Sequence, residues 1–222
     1  MKLKISPSVM VCKTQEVLDF IKAFEKAGVD SIHFDVMDGH FVDNIMLGTN
    51  FYRDLKELTD IPIDIHFMTY NPEKFLTYFN PKPNDRVSFH PETTKQSYRL
   101  LQSIQDLGCS AGIVLNPGTS ISYIEELYFQ LDFVTLMMVN PGFSGQKLVP
   151  NGLEKISRTR NLLNKLKKNI DIFVDGNTTY QNAREMYLSG ANGVIIGTSS
   201  IVKSLNSFIS EYQKYCSFII GD

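Results

Sequence analysis

Eight short apolar runs recur along the chain, each followed by a stretch with helical periodicity. They are LKISPSVM (3–10), SIHFDVM (31–37), IDIHFM (63–68), RVSFH (86–90), AGIVLN (111–116), FVTLMMV (133–139), IDIFVD (170–175) and GVIIG (193–197). Most are near-continuously apolar instead of alternating, which is the pattern of parallel strands covered on both faces. Parallel neighbours need a crossover, and the stretches between the runs supply it. In TQEVLDFIKAFEKAG, Val17, Ile21, Phe24 and Ala27 form one stripe, with Thr14 as candidate N-cap and Gly28 past the end. TTKQSYRLLQSIQDLG repeats this with Leu100, Leu101, Ile104 and Leu107 before Gly108, and TTYQNAREMYLSG does so before Gly190. Eight strand-then-helix units in 222 residues fit a single-domain (β/α)8 TIM barrel over 1–222 better than an open sheet. Periodicity cannot show closure, so a doubly wound sheet stays as the alternative. No Ser/Gly-rich linker divides the chain, and NPKPND (80–85) is short enough for a helix-to-strand loop.

Net charge is −2 and the sequence pI about 6.1, which leaves no electrostatic footprint for nucleic acid or an anionic membrane as partner. The densest basic run, KISRTRNLLNKLKK (155–168), is expected to be one amphipathic helix with a solvated face. Cys12, Cys109 and Cys216 are odd in number, far apart and in no CxxC pair. Reduced thiols and a cytoplasmic location are expected. The start, MKLKISPSVM, lacks the h-region of a signal peptide, and no apolar run approaches the ~20 residues that span a bilayer.

A barrel carries its chemistry at the C-terminal ends of its strands. Three of the four histidines fall there, His33, His66 and His90, together with several carboxylates. By strand parity His33 and Asp35 share a face, as do Asp64, His66 and Met68. If the faces of His33, Asp35, His66 and Asp175 point inward, two imidazoles and two carboxylates meet at the barrel mouth. That is a ligand set for one divalent metal ion, with Zn²⁺ favoured for mixed N/O donors and Mg²⁺, Mn²⁺, Fe²⁺ or Co²⁺ possible. A lone H-x-D pair reads equally as a hydrogen-bonded pair in a core. The matching groups on the third and seventh runs weaken that alternative. The ends of the last three runs carry glycines in PGFSGQ, DGN and GTSS, where backbone N–H groups can approach a phosphate, although turns need glycine too.

Together, SPSVM, HFDVMDGHFVDN, HFM, LNPGTS, VNPGFSGQK, VDGN and GTSS resemble the ribulose-phosphate 3-epimerase family, in order from Ile5 to about Ser200. The resemblance implies a (β/α)8 barrel, a divalent metal and inversion of C3 in a ketose phosphate. It implies His33, Asp35, His66 and Asp175 as metal ligands, with Asp35 and Asp175 as the acid/base pair. Two carboxylates on opposite faces of C3 let one remove the proton and the other return it to the far side. Substrate contacts are expected from Ser8, His66, Gly142, Phe143, Ser144, Gly145, Gly176, Asn177, Gly197, Thr198 and Ser199. Met37, Met68 and Met137 would form a polarizable wall, or merely fill the barrel. A homo-oligomer, dimer or hexamer, is expected.

Four details depart from the commonest form of the family. Asn177 replaces a second glycine after Asp-Gly, HPET (90–93) stands where HVEA or HLEA is usual, GTSS replaces GSA, and Met10 replaces Leu. These resemble the allulose-6-phosphate 3-epimerase branch. D-allulose 6-phosphate to D-fructose 6-phosphate is therefore the favoured reaction, with D-ribulose 5-phosphate to D-xylulose 5-phosphate as the alternative. An aldolase or decarboxylase would need a lysine inside the barrel or beside its carboxylates, and no strand end supplies one. A non-catalytic sugar-phosphate sensor would not need the intact His and Asp set.

Overall fold

The structure is a computed structural model and describes residues 2–221. Its strands are β1 (Lys4–Pro7), β2 (Ile32–Asp38), β3 (Ile45–Met46), β4 (Ile63–Met68), β5 (Arg86–Phe89), β6 (Ser110–Leu115), β7 (Phe133–Met137), β8 (Asp171–Asp175) and β9 (Gly193–Ile196). They form one sheet in the order β1-β9-β8-β7-β6-β5-β4-β2-β3. Every pairing is parallel except that of β3 with β2. A parallel bridge from Ser8 to His33 joins the two ends and closes the barrel, which removes the open-sheet alternative. The eight barrel strands fall on the eight apolar runs. β3 was not expected: its two residues fold back on the end of β2 in a short hairpin, with the amide of Gly39 donating to the Asn44 carbonyl at 3.0 Å.

The helices are α1 (Val17–Ala27), α2 (Thr49–Leu58), α3 (Pro72–Phe79), α4 (Ser97–Asp106), α5 (Ser122–Leu127), α6 (Gly152–Lys165), α7 (Tyr180–Leu188) and α8 (Phe208–Ile220). Gly28 takes the left-handed conformation after α1 (φ 71°), as expected of that stop signal. Thr14 does not cap α1. It opens a separate 3₁₀ turn, Thr14–Glu16, and its side chain makes no capping bond. Thr179 does cap α7, accepting from the Asn182 amide. The basic stretch forms α6, but its cations are not all solvated. Lys155 is buried, and Arg160 donates to the Gly190 carbonyl and to Asn192 Oδ1. Among the described residues no helix is long and apolar enough to cross a membrane, and the three cysteines are free.

Strand parity sorts the core into two parts. Outward residues such as Phe34, Ile65, Val134, Leu136 and Val174 join the helices in one large apolar cluster. Inward residues fill the barrel. Near its N-terminal end Phe133, Phe173 and Ile195 form a separate cluster. The Arg86 guanidinium lies 4.1 and 3.7 Å from the centroids of the two phenyl rings. Such stacking on a desolvated ring is worth about 1–2 kcal/mol. Two glycines make room for these rings. A Cβ on Gly112 would stand 2.5 Å from Phe133 Cζ, and one on Gly193 would stand 2.3 Å from Phe173 Cδ1. Gly193→Ala should therefore overpack the plug and destabilise the protein by about 1–3 kcal/mol. Equilibrium urea unfolding reads this, and an unchanged midpoint would show that the ring moves aside without cost.

Candidate metal and active site

Two neighbouring parallel strands set the site. β2 and β4 pair with His33 opposite Asp64 and Asp35 opposite His66. β8 brings Asp175 to the same end of the barrel, paired with Met137 of β7. His33, Asp35, Asp64 and His66 are all buried. His33 Nε2 lies 3.0 Å from Asp35 Oδ1 and 3.9 Å from Asp175 Oδ2, and His66 Nδ1 lies 3.2 Å from Asp35 Oδ1. One ligand atom from each of His33, Asp35, His66 and Asp175 falls within 4.8 Å of the other three.

These four fit a divalent ion. Donors about 2.1 Å from a tetrahedral centre lie roughly 3.4 Å apart, the scale of the separations seen here. The ring nitrogens not facing the cluster are also engaged. His33 Nδ1 is 2.9 Å from Asp64 Oδ2, and His66 Nε2 is 2.9 Å from His90 Nε2. Partners of this kind orient metal-ligating imidazoles. Behind Asp64 stands Arg86, its Nε 3.9 Å from Asp64 Oδ1, so the barrel plug and the site share a side chain.

Charge is concentrated and shielded from water. Burial raises the Asp175 carboxyl to about 6, and the negative charge of Asp35 adds to this against the pull of His33 and His66. Burial also opposes ionisation of Asp35, but His33 and His66 outweigh it and hold the group well below the usual carboxylate range. Burial alone would lower His33. Asp35 and Asp64, each hydrogen-bonded to one ring nitrogen, outweigh it and hold the imidazole well above 6.5. The two carboxylates thus favour the protonated His33 ring, with whose proton a divalent cation would compete.

A cleft of about 600 Å³, part of it open to solvent, lies over this cluster. Its walls include Ser8, Asp35, Met37, Met68, Met137 and Asp175. Ser8 Oγ donates to Asp35 Oδ2 at 3.3 Å. The rim includes Gly142, Phe143, Ser144 and Gly145 after β7, Gly176 and Asn177 after β8, and Gly197, Thr198 and Ser199 after β9. Gly176 is required there: at φ 106° its Cβ would stand 2.5 Å from Val139 Cγ2. Of the expected substrate contacts only His66 does not line the cleft. It is fully buried, and its ring nitrogens face Asp35 and His90. Among the described residues no lysine lines the cleft.

Asn177 lines the cleft and is also built into the loop structure. It sits in the left-handed region (φ 51°), where asparagine is the usual substitute for glycine. Its Nδ2 donates to the Gln146 carbonyl at 2.6 Å, and its Oδ1 accepts from Asn182 Nδ2 at 2.9 Å. The side chain fastens two rim loops together. Asp38 is likewise a turn anchor, accepting from the amides of His40, Phe41 and Tyr70. The partnerships of Asp64 and His90 escape a sequence reading because both lie across strands, although parity had put Asp64 on the face of His66.

A family model described as the ribulose-phosphate 3 epimerase family matches residues 4–201. The chain belongs to that family. It is thereby a sugar-phosphate 3-epimerase, an isomerase. It is similar to the ribulose-phosphate 3-epimerase of Aquifex aeolicus (strain VF5), with 37% identity over 198 residues, 89% of each chain. It is also similar to that of Bacillus subtilis (strain 168), with 38% identity over 89% of this chain and 91% of the other. The chloroplastic ribulose-5-phosphate-3-epimerase of Arabidopsis thaliana shares 40% identity over 88% of this chain and 70% of its own. Among solved structures, a tryptophan synthase alpha-subunit variant from Pyrococcus furiosus superposes with TM-score 0.67 at 13% identity, covering all of both chains. At that identity the likeness shows the barrel fold alone.

Asp35 and Asp64 raise the His33 pKa, so an ion bound at this imidazole is expected to compete with its proton. Calorimetric titration with Zn²⁺ in buffers of different ionisation enthalpy should register release of about one proton or more per ion. Uptake of Zn²⁺ without proton release would contradict this charge assignment.

Proposed function

We propose that this epimerase holds one divalent ion at His33, Asp35, His66 and Asp175 and uses Asp35 and Asp175 as its two proton carriers. The observation that carries the reading is the convergence of two buried carboxylates and two imidazoles beneath one cleft, within 4.8 Å of one another. Zn²⁺ suits two nitrogen and two oxygen donors at four-coordination. When bound, a divalent ion supplies Lewis-acid polarisation of the oxygens beside C3.

The side chains do the rest. Asp35 and Asp175 enter the cleft from β2 and β8, and a sugar carbon between them has one carboxylate on each face. One removes the C3 proton and the other returns a proton to the opposite face, with roles exchanged in the reverse direction. The raised pKa of Asp175, about 6, keeps it close to neutrality, where a group can both accept and donate. Met37, Met68 and Met137, all buried, exclude water around the planar intermediate. The glycine-bearing rim loops after β7, β8 and β9 take the phosphate through backbone N–H groups.

For the substrate we favour D-ribulose 5-phosphate, interconverting with D-xylulose 5-phosphate. The relatives at 37–40% identity bear the corresponding name, and the Asn177 amide, the motive for a longer sugar, is bonded within the protein. The six-carbon reading, allulose 6-phosphate to fructose 6-phosphate, now rests on HPET, GTSS and Met10. Side-by-side kcat/KM values should favour the pentose phosphate, and a clear preference for allulose 6-phosphate would reverse the assignment.

Asp175→Asn should lower kcat by about 10²–10⁴-fold, the usual contribution of a general acid–base group, with a smaller change in KM. Exchange of the C3 hydrogen in D₂O and metal content should be measured on the same variant. Near-normal epimerisation with metal bound would remove Asp175 from the proton path.

A further inference from the structure

Among the described residues the loop after β7, 140–146, makes no backbone–backbone hydrogen bond. Side-chain amides hold it instead. Asn44 Nδ2 donates to the Gly142 carbonyl at 2.9 Å. Gln146 Nε2 donates to the carbonyls of Asn140 at 2.6 Å and Phe143 at 2.9 Å. Asn177 Nδ2 donates to the Gln146 carbonyl at 2.6 Å. Every one of these bonds takes a carbonyl. The amides of Gly142, Phe143, Ser144, Gly145 and Gln146 have no partner among the described residues. Successive open N–H groups of this kind suit an anion.

Gln146 and Asn177 line the cleft themselves, but Asn44 stands outside it, on the hairpin that leaves β2. Its placement is firm. Its amide donates to the Val42 carbonyl at 2.8 Å, and its carbonyl accepts from Gly39 at 3.0 Å. Its Oδ1 accepts from the Ile45 amide at 2.9 Å, which leaves Nδ2 as the group that faces Gly142. In a trans peptide the carbonyl and the following N–H point in opposite directions. With the Gly142 oxygen on Asn44, the Phe143 N–H is aimed away from Asn44, to the side of the cleft. Gly142, at φ 110°, has no side chain to restrain this peptide. Turned over, the peptide would offer a carbonyl oxygen to the cleft and repel an anion there.

We infer that Asn44 is a positioning residue: it holds the Gly142–Phe143 peptide in the orientation that gives the Phe143 amide to the phosphate of the substrate. It thereby ties the loop after β7 to the hairpin of β2, the strand that carries His33 and Asp35. The inference rests on the reading of the rim loops as the phosphate site, and is independent of the metal bound and of the length of the sugar.

The test uses the full chain and inorganic phosphate as probe. In ¹H–¹⁵N spectra of the wild type, saturating phosphate should shift the Phe143 amide together with amides of the loops after β8 and β9. In Asn44→Ala the Phe143 response should be lost while the other two loops keep theirs. The same variant should raise KM for the ketose phosphate and the inhibition constant of inorganic phosphate by a common factor of about 3–10, the effect of one lost hydrogen bond, with kcat and metal content near wild type. Ile45→Ala, in the same hairpin but with an exposed side chain, should change neither constant. Unchanged constants in Asn44→Ala, a fall in kcat at constant KM, or an equal loss in Ile45→Ala would overturn the inference. So would a wild type in which the other loops respond and Phe143 does not, with the phosphate reading left standing. If no rim amide responds, the phosphate reading itself fails, and this inference with it. Should Asn44→Ala not fold, Asn44→Asp keeps the acceptor for Ile45 and loses the donor, and selective loss of the Phe143 response is again expected. A retained response there overturns the assignment.

Discussion

Burying charge is the constraint on which the site depends. Asp35, Asp64, His33 and His66 are all withdrawn from water at the centre of the barrel. An isolated buried charge costs several kcal/mol, so each of these groups persists only with a partner. The β2–β4 register supplies them. Because Asp64 stands opposite His33 and Asp35 opposite His66, one pairing of strands gives both imidazoles an acidic neighbour. A one-residue slip of β4 would send Asp64 and His66 to the apolar outer layer and leave His33 and Asp35 without them. The same requirement that makes the cluster costly therefore fixes its geometry.

The barrel interior is graded along its axis. Phe133 and Phe173 close one end, the carboxylates and methionines open the other, and Ile195 packs on the rings while reaching the cleft. Arg86 lies at the transition, stacked on the rings on one side and near Asp64 on the other. Burial makes ionisation of Asp64 harder, but the charge of Arg86 and the hydrogen bond from His33 outweigh it and hold Asp64 below its ordinary range. The plug is thus an electrostatic support as well as a packing layer, and the functional end of the barrel is tied to the end that stabilises it.

Much of this was legible in the chain. Buried parallel strands announce themselves by continuous apolar runs, and all eight barrel strands fell on such runs. Parity along each run was enough to put His33 with Asp35, and Asp64 with His66, on common faces. Gly142 and Gly176 of the rim were visible because few other residues accept their φ of 110° and 106°. What could not be read was anything requiring a cross-strand partner. Lys155 looked like one more cation on a solvated helix, since its three carbonyl acceptors lie almost forty residues away. The bond from Asn177 to the Gln146 carbonyl was out of reach for the same reason, because that acceptor belongs to another loop. Closure itself runs through the Ser8–His33 bridge and the bond from the Asp30 amide to the Ile5 carbonyl, which no periodicity could reveal.

That closure has a consequence for biosynthesis. β1 pairs along its whole length with β9, Lys4 with Gly193 through Pro7 with Ile196. β1 is therefore synthesised almost two hundred residues before the strand that becomes its main neighbour. Until then its amides and carbonyls are unpaired on that side, and the barrel is an open sheet with an exposed edge. Asp175 also arrives late, so the ligand cluster is incomplete for most of synthesis. Contacts of such sequence separation form slowly, and the nascent chain passes through a long interval in which strands are made but the ring is not.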